Sequence, residues 1–184
     1  VDYEHKAGAI DFYALDGRSF TDNYQLDFTV DPVERFTVTA TFRYTNAKVN
    51  LAGQGLVEKP MTSRYKGVLN LQYATNLNKW IFDFTASVNG PSKVYNFMRD
   101  LKDDKGNLLY KNGMTPVYPL LYLQITRRLK GVDIYIGGEN LTNFTQKNVI
   151  IGNSRDANGH IHASQQSFDA SSIWGPLMGV KFYA

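Results

Sequence analysis

The chain has 184 residues, 20 Lys plus Arg against 17 Asp plus Glu, and no cysteine. The missing cysteines exclude disulfides, thiol catalysis and cysteine metal sites, and the scattered basic residues make no stripe with stacking aromatics such as nucleic acid requires. No apolar run approaches the length of a membrane helix, but the slightly negative mean hydropathy of −0.34 leaves open a membrane barrel, whose strands alternate apolar and polar residues.

Aromatic residues make up 14% of the chain, and most Gly and Pro lie between apolar stretches, which points to an all-β fold. In chain order, an early strand is expected around Gly8–Leu15. In Tyr24–Val30, Tyr24, Leu26, Phe28 and Val30 alternate with polar Gln25, Asp27 and Thr29. After a turn at Asp31–Glu34, Phe36, Val38, Ala40, Phe42 and Tyr44 alternate with Thr37, Thr39, Thr41 and Arg43. A polar connection over 49–61 leads to Tyr65, Gly67, Leu69, Leu71 and Tyr73, opposed mainly by Lys66, Asn70 and Gln72. Beyond a turn at Asn76–Asn78, Trp80, Phe82, Phe84, Ala86 and Val88 oppose Asp83, Thr85, Ser87 and Asn89. Within the next connection, 90–116, Val94, Phe97, Met98 and Leu101 have helical spacing and predict a short amphipathic helix capping the loop, with a ligand-facing patch as the other reading. Strands over Val117–Leu129 and Val132–Leu141 follow, joined by a turn at Leu129–Gly131 beside the basic cluster Arg127, Arg128 and Lys130. A last strand, Gly175–Ala184, lies beyond the 142–170 connection. The expectation is an antiparallel up-and-down meander of about eight strands, in one segment spanning 1–184.

Short and long connections alternate from Asp31 onward, as the periplasmic turns and extracellular loops of outer-membrane barrels do. Aromatic residues mark both ends of the apolar stripes: Tyr73 and Trp80 at one end, Tyr44 and Tyr65 at the other. Such rings suit a membrane interface, having an apolar body and a polar edge. A soluble eight-stranded barrel binding a small apolar ligand is the alternative. In that case the Phe36–Tyr44 stripe points inward. In a membrane barrel it points to lipid, and Arg43, Lys66, Asp83, Arg128 and Glu139 line a wet interior. A complete small eight-stranded membrane barrel is a third arrangement.

Two segments go further. Asp133-Ile134-Tyr135-Ile136-Gly137-Gly138-Glu139-Asn140-Leu141-Thr142-Asn143 resembles the penultimate-strand motif of TonB-dependent receptors, and Ile173-Trp174-Gly175-Pro176 through Lys181-Phe182-Tyr183-Ala184 resembles that family's last strand. The family's last strand usually closes on an aromatic residue, where this chain has Ala184. The resemblance implies a transmembrane β-barrel of about 22 strands in the cell outer membrane, of which this chain is the C-terminal portion, the plug domain and earlier strands being absent. It implies energy-coupled uptake of a nutrient such as an iron chelate, vitamin or glycan, with outer-membrane lipid around the barrel and the TonB complex acting through the plug.

Chemistry is sparse. His160 and His162 share a face of any extended segment, and with Arg155 and Asp156 they are the candidate ligand-binding residues of the 142–170 loop. Solvated loop histidines are the simpler reading, so no metal is expected. Lys102–Asn107 lacks the spacing of a calcium loop. The Asn140-Leu141-Thr142 and Asn143-Phe144-Thr145 triplets match a glycosylation pattern that occurs often by chance. Gly137-Gly138 lies inside a strand, not before a helix, and no serine sits in an elbow motif. The expectation is therefore no enzyme, no cofactor and no nucleic-acid partner.

Overall fold

The computed structural model describes residues 14, 17–51, 53–102, 106–146, 150–152, 166–168 and 172–184. Among the described residues ten strands follow one another: β1 (Phe20–Val33), β2 (Phe36–Leu51), β3 (Gly55–Glu58), β4 (Tyr65–Ala74), β5 (Trp80–Asn89), β6 (Tyr118–Leu129), β7 (Val132–Glu139), β8 (Ile150–Gly152), β9 (Gln166–Phe168) and β10 (Lys181–Tyr183). Eight form one antiparallel sheet in the order β1-β2-β4-β5-β6-β7-β10, with β3 beside the far end of β2; β8 and β9 make a separate hairpin. The sheet is an open up-and-down meander and not a closed barrel. Among the described residues it contains no α-helix, only short 3-10 turns.

The register follows the alternation. Arg43 faces Lys66, Thr39 faces Asn70 and Thr37 faces Gln72 across β2 and β4, so the polar set lies on one side. The apolar side builds continuous rows, including Phe28–Ala40–Leu69–Ala86–Leu121 and Val30–Val38–Leu71–Phe84–Leu123. A one-residue slip of any strand would move its whole apolar set to the other face. On the polar face Thr41 donates to Asp27 (2.7 Å), Thr37 to Asp31 (2.6 Å), and Asn70 to both Asp83 (3.0 Å) and Thr85 (2.8 Å). Arg43, Lys66, Asp83, Arg128 and Glu139 all lie on this side.

The structure departs from the sequence reading at several edges. The first turn sits at Glu34–Arg35, with Arg35 at φ 65°, while Asp31-Pro32 forms a bulge between Val30 and Val33. Proline has no N–H to give the ladder, and a bulge on an edge strand tolerates that. β3 and the β8–β9 hairpin occupy stretches expected to be connections. The expected helix around Val94–Leu101 is only a 3-10 turn over Asn96–Met98, because the segment is pinned from outside by a Lys93–Met114 bridge and a Val94 N–H bond to Gly113. Its apolar residues are still packed, Val94 and Met98 being 0% exposed. The last strand shortens to Lys181–Tyr183, and the expected Gly8–Leu15 strand lies, apart from Ala14, outside the described residues.

The described hydrophobic core is not against the sheet's apolar face. Val94, Met98 and Tyr110 form it, with Met61, Leu101, Leu109 and Trp174 packed around them, all from the long connections. The apolar face stays bare: Leu26 is 70% exposed, Ile136 60% and Phe182 75%. In water that arrangement is inverted, since apolar surface is ordinarily what a fold covers first.

Candidate functional site

Strand β2 holds the decisive change. From Phe36 to Tyr44 its even-numbered residues are apolar and lie on the bare face. Beyond Tyr44 the pattern flips: Asn46, Lys48 and Asn50 take that side, while Ala47 and Leu51 on the opposite side are buried at 5% and 6% exposure. The flip coincides with the Tyr24–Tyr44–Tyr65 row. Phe36, Tyr73, Phe82 and Trp80 mark the other limit, the Phe82 ring stacking on Tyr73 at 6.4 Å and on Trp80 at 6.5 Å. Eight steps at about 3.4 Å span about 27 Å along the strand, or about 21 Å of depth at a tilt of about 40°, close to the about 25 Å band of outer-membrane barrels.

Every long connection leaves the end beyond this row. Here the described parts of the three connections, 53–64, 90–102 with 106–117, and 140–146 with 172–180, fold toward the polar side of the sheet. The Met61 N–H bonds Lys93 O at 2.8 Å, and Ser63 pairs with Ser92. Trp174 joins the layers: its Nε1 donates to the Tyr110 hydroxyl at 3.2 Å, and its carbonyl accepts from Tyr118 at 3.0 Å. Tyr118 stacks on Phe144 at 4.7 Å and meets the Trp174 ring at 5.7 Å with the planes tilted by 54°. Burial pushes the Tyr110 phenol above its ordinary value, against the opposing Trp174 hydrogen bond. A 90 Å³ cavity lined by Lys66 and Asn89 of the polar face together with Ser92, Thr115 and Trp174 shows which side this layer covers.

The two segments flanking the last connection are tied to each other. Asn140 and Asn143 sit at φ 51° and 50°, a left-handed conformation that asparagine tolerates, and this stops β7 at Glu139. The Asn140 amide donates to the carbonyls of Phe144 (2.8 Å) and Met178 (3.0 Å), and Asn143 Oδ1 accepts from the Val180 N–H at 3.1 Å. Buried Gln146 accepts from the N–H groups of Trp174 (2.8 Å) and Gly175 (3.1 Å) and donates to Ser172 O (2.9 Å). At Gly137 a Cβ would meet the outer end of the Tyr183 ring at 2.5 Å, so a larger residue there would push that side chain aside. Comparison of the chain with protein-family models, with curated proteins and with solved structures finds no match in any of the three.

Among the described residues, two hollows have room for a small molecule. One of about 560 Å³ lies in the 90–117 connection, lined by Asn96, Arg99, Asp100, Leu108, Tyr110 and Asn112. The other, about 600 Å³, opens on the polar face near the short turns, where Gln72, Asp83, Gln124, Arg128, Asp133 and Tyr183 converge. Both offer mixed charge and amide groups, suited to a polar ligand. Arg155, Asp156, His160 and His162, the candidates from sequence, lie outside the described residues. Among the described residues no group of three or more His, Cys, Asp or Glu side chains could hold a metal. Sequence reasoning missed Arg99, Asn112 and Trp174 because no local pattern marks them: the cavity forms only when the connection folds on itself.

Arg64 holds Glu58 through two bonds of 2.6 and 2.7 Å, pinning β3 above β4. That hydrogen bonding, against a smaller burial effect, lowers the Glu58 carboxyl below its ordinary 4.5. The pair's contribution is therefore present above pH 4.5 and is lost as pH falls through the lowered folded value. With the Arg64 side chain 47% exposed, it is worth under about 1 kcal/mol. Amide protection in β3, ratioed to that of Glu58→Gln at each pH, should fall in acid. A ratio flat across the titration would remove the pair from the loop layer's stability.

Proposed function

We propose that the chain is part of the wall of an outer-membrane β-barrel, a receptor-transporter of the TonB-dependent kind that takes up a small nutrient. The single observation carrying this reading is the flip of the apolar side in β2 at Tyr44. One strand there meets two surroundings: hydrocarbon against its even side up to Tyr44, and a packed loop layer against its odd side beyond. A strand of a water-soluble fold has one solvent and no reason to switch at a row of tyrosines. The bare face, the depth of its band and the short turns at the opposite end all support the same placement.

The long connections then face the outside and bind the nutrient, and the polar face with its hollow lines the path inward. No catalytic step is assigned to this chain. As in receptors with the motifs quoted above, energy would arrive from the TonB complex through a plug domain. In cells, deletion of the protein should abolish uptake of one iron chelate, vitamin or glycan, and so should loss of the inner-membrane energising complex. Undiminished uptake of every such nutrient would sink the transport half of the proposal.

The membrane half is tested by spin labels placed singly at positions 38 to 43 of the protein in vesicles. Even positions should collide with oxygen dissolved in lipid and odd ones with an aqueous nickel chelate. In a soluble ligand-binding barrel the even positions point inward, and they would be shielded from both reagents.

A further inference from the structure

Arg127 and Arg128 are neighbours in β6 that point to opposite faces. Arg128, on the polar side, is neutralised within the chain by Asp133 at 3.3 Å. Arg127 lies on the bare apolar face in the row Trp80–Arg127–Ile134, its guanidinium stacked 4.7 Å over the Trp80 ring. Among the described residues it is the one charged side chain within the apolar band, and the ion pairs present lie elsewhere, at Arg35–Glu34, Arg64–Glu58 and Arg128–Asp133. One apolar pair, Leu129–Val132, separates it from the short turn.

We infer that Arg127 and Trp80 form a headgroup site for an anionic phospholipid of the leaflet that the short turns face. The inference rests on the membrane reading above. A guanidinium held over an indole ring by cation–π attraction keeps N–H donors for a second partner, and their fork matches the oxygens of a phosphate. At the Trp80 limit of the band, and two residues or about 7 Å along the strand from the end of β6, an arginine side chain reaches the headgroup level by snorkelling along the apolar surface. The adjoining row of Phe82, Ile125 and Ile136 offers the acyl chain a surface directly beneath. Charge complementarity selects this occupant: among the described residues the face carries one cation and no carboxylate pairs with it, and hydrocarbon supplies none.

The test uses the intact membrane protein in phosphatidylcholine vesicles containing spin-labelled phosphatidylglycerol or spin-labelled phosphatidylcholine, reading their relative association at the protein surface. Arg127→Gln should lower the preference for phosphatidylglycerol about fivefold, the effect of one basic residue at a membrane surface. Arg128→Gln, facing the interior, should leave it unchanged. Removing a charge from a lipid-facing position does not hinder insertion, so Arg127→Gln remains measurable. A preference that survives Arg127→Gln, or falls equally with Arg128→Gln, overturns the site while leaving the membrane reading intact. A wild-type protein that enters neither kind of vesicle overturns both.

Discussion

Arginine in place of Ala40 is expected to cost about 2–4 kcal/mol of stability in a bilayer, the range for a cation at the midplane of a barrel's lipid face. Ala40 sits in the central row, between Phe28 and Leu69, two pairs from Phe36 at one limit of the band and two from Tyr44 at the other. On the membrane reading proposed above, a guanidinium there would find neither water nor a counter-ion within reach, and every escape path would run along hydrocarbon. The adjacent Thr39 points to the polar face, opposite Thr29 and Asn70. Thr39→Arg should therefore stay within about 0.5 kcal/mol of wild type, as surface changes usually do. Tyr44→Arg, at the rim, should fall to about 0–1 kcal/mol as the site nears the interface. Reversible urea unfolding from vesicles gives all three values. If Thr39→Arg proves as costly as Ala40→Arg, the faces are assigned wrongly; if Tyr44→Arg does, the Tyr24–Tyr44–Tyr65 row is not the boundary.

Trp174→Ala is the second large effect, about 3 kcal/mol, at the low end of the range for losing a buried aromatic because the ring is only partly covered. Trp174 touches Tyr110, Tyr118 and Phe144, three residues from three different stretches of chain. Its removal leaves the Tyr110 hydroxyl without its indole donor and opens the joint between the last two long connections. The loss should be local. Amide exchange at Val94 and Thr115, whose N–H groups bond Gly113 and Ser92 across the 90–117 connection, should accelerate about a hundredfold for 3 kcal/mol of lost local stability. The β4–β5 ladder should keep its protection. Trp174→Phe keeps the stacking, loses one hydrogen bond and should cost about 1 kcal/mol. Exchange that accelerates equally in β4, β5 and the connection would show that the loop layer and the sheet open as one unit, against the separation of cores described here.

Much of this was legible in the residues themselves. The sequence alone sets Thr37, Thr39, Thr41 and Arg43 beside Lys66, Asn70 and Gln72, because a strand's side chains alternate with a period of two and neighbouring antiparallel strands share that period. The flip after Tyr44 was equally present in Ala47, Val49 and Leu51, but it fell at the edge of a stretch taken as a connection, where three residues are too few to establish a stripe. The helix expected at Val94–Leu101 failed for a different reason. Its spacing was real and its residues are buried, but the bridges from Lys93 to Met114 and from Lys102 to Leu108 hold the backbone too tightly for a helix to propagate.

What the sequence determined by itself is therefore whatever repeats locally: strand identity, face and register, together with the alternation of short and long connections. What only the tertiary structure decided is where the long connections go. Trp174 meets Tyr110 and Tyr118 across 64 and 56 residues, and Gln146 gathers Ser172, Trp174 and Gly175. No spacing rule foretells such contacts. They form because a loop layer has to bury its own polar backbone and apolar side chains against whatever the sheet beneath presents. Here the sheet presents its polar side, and the face that alternation had already made apolar is left bare.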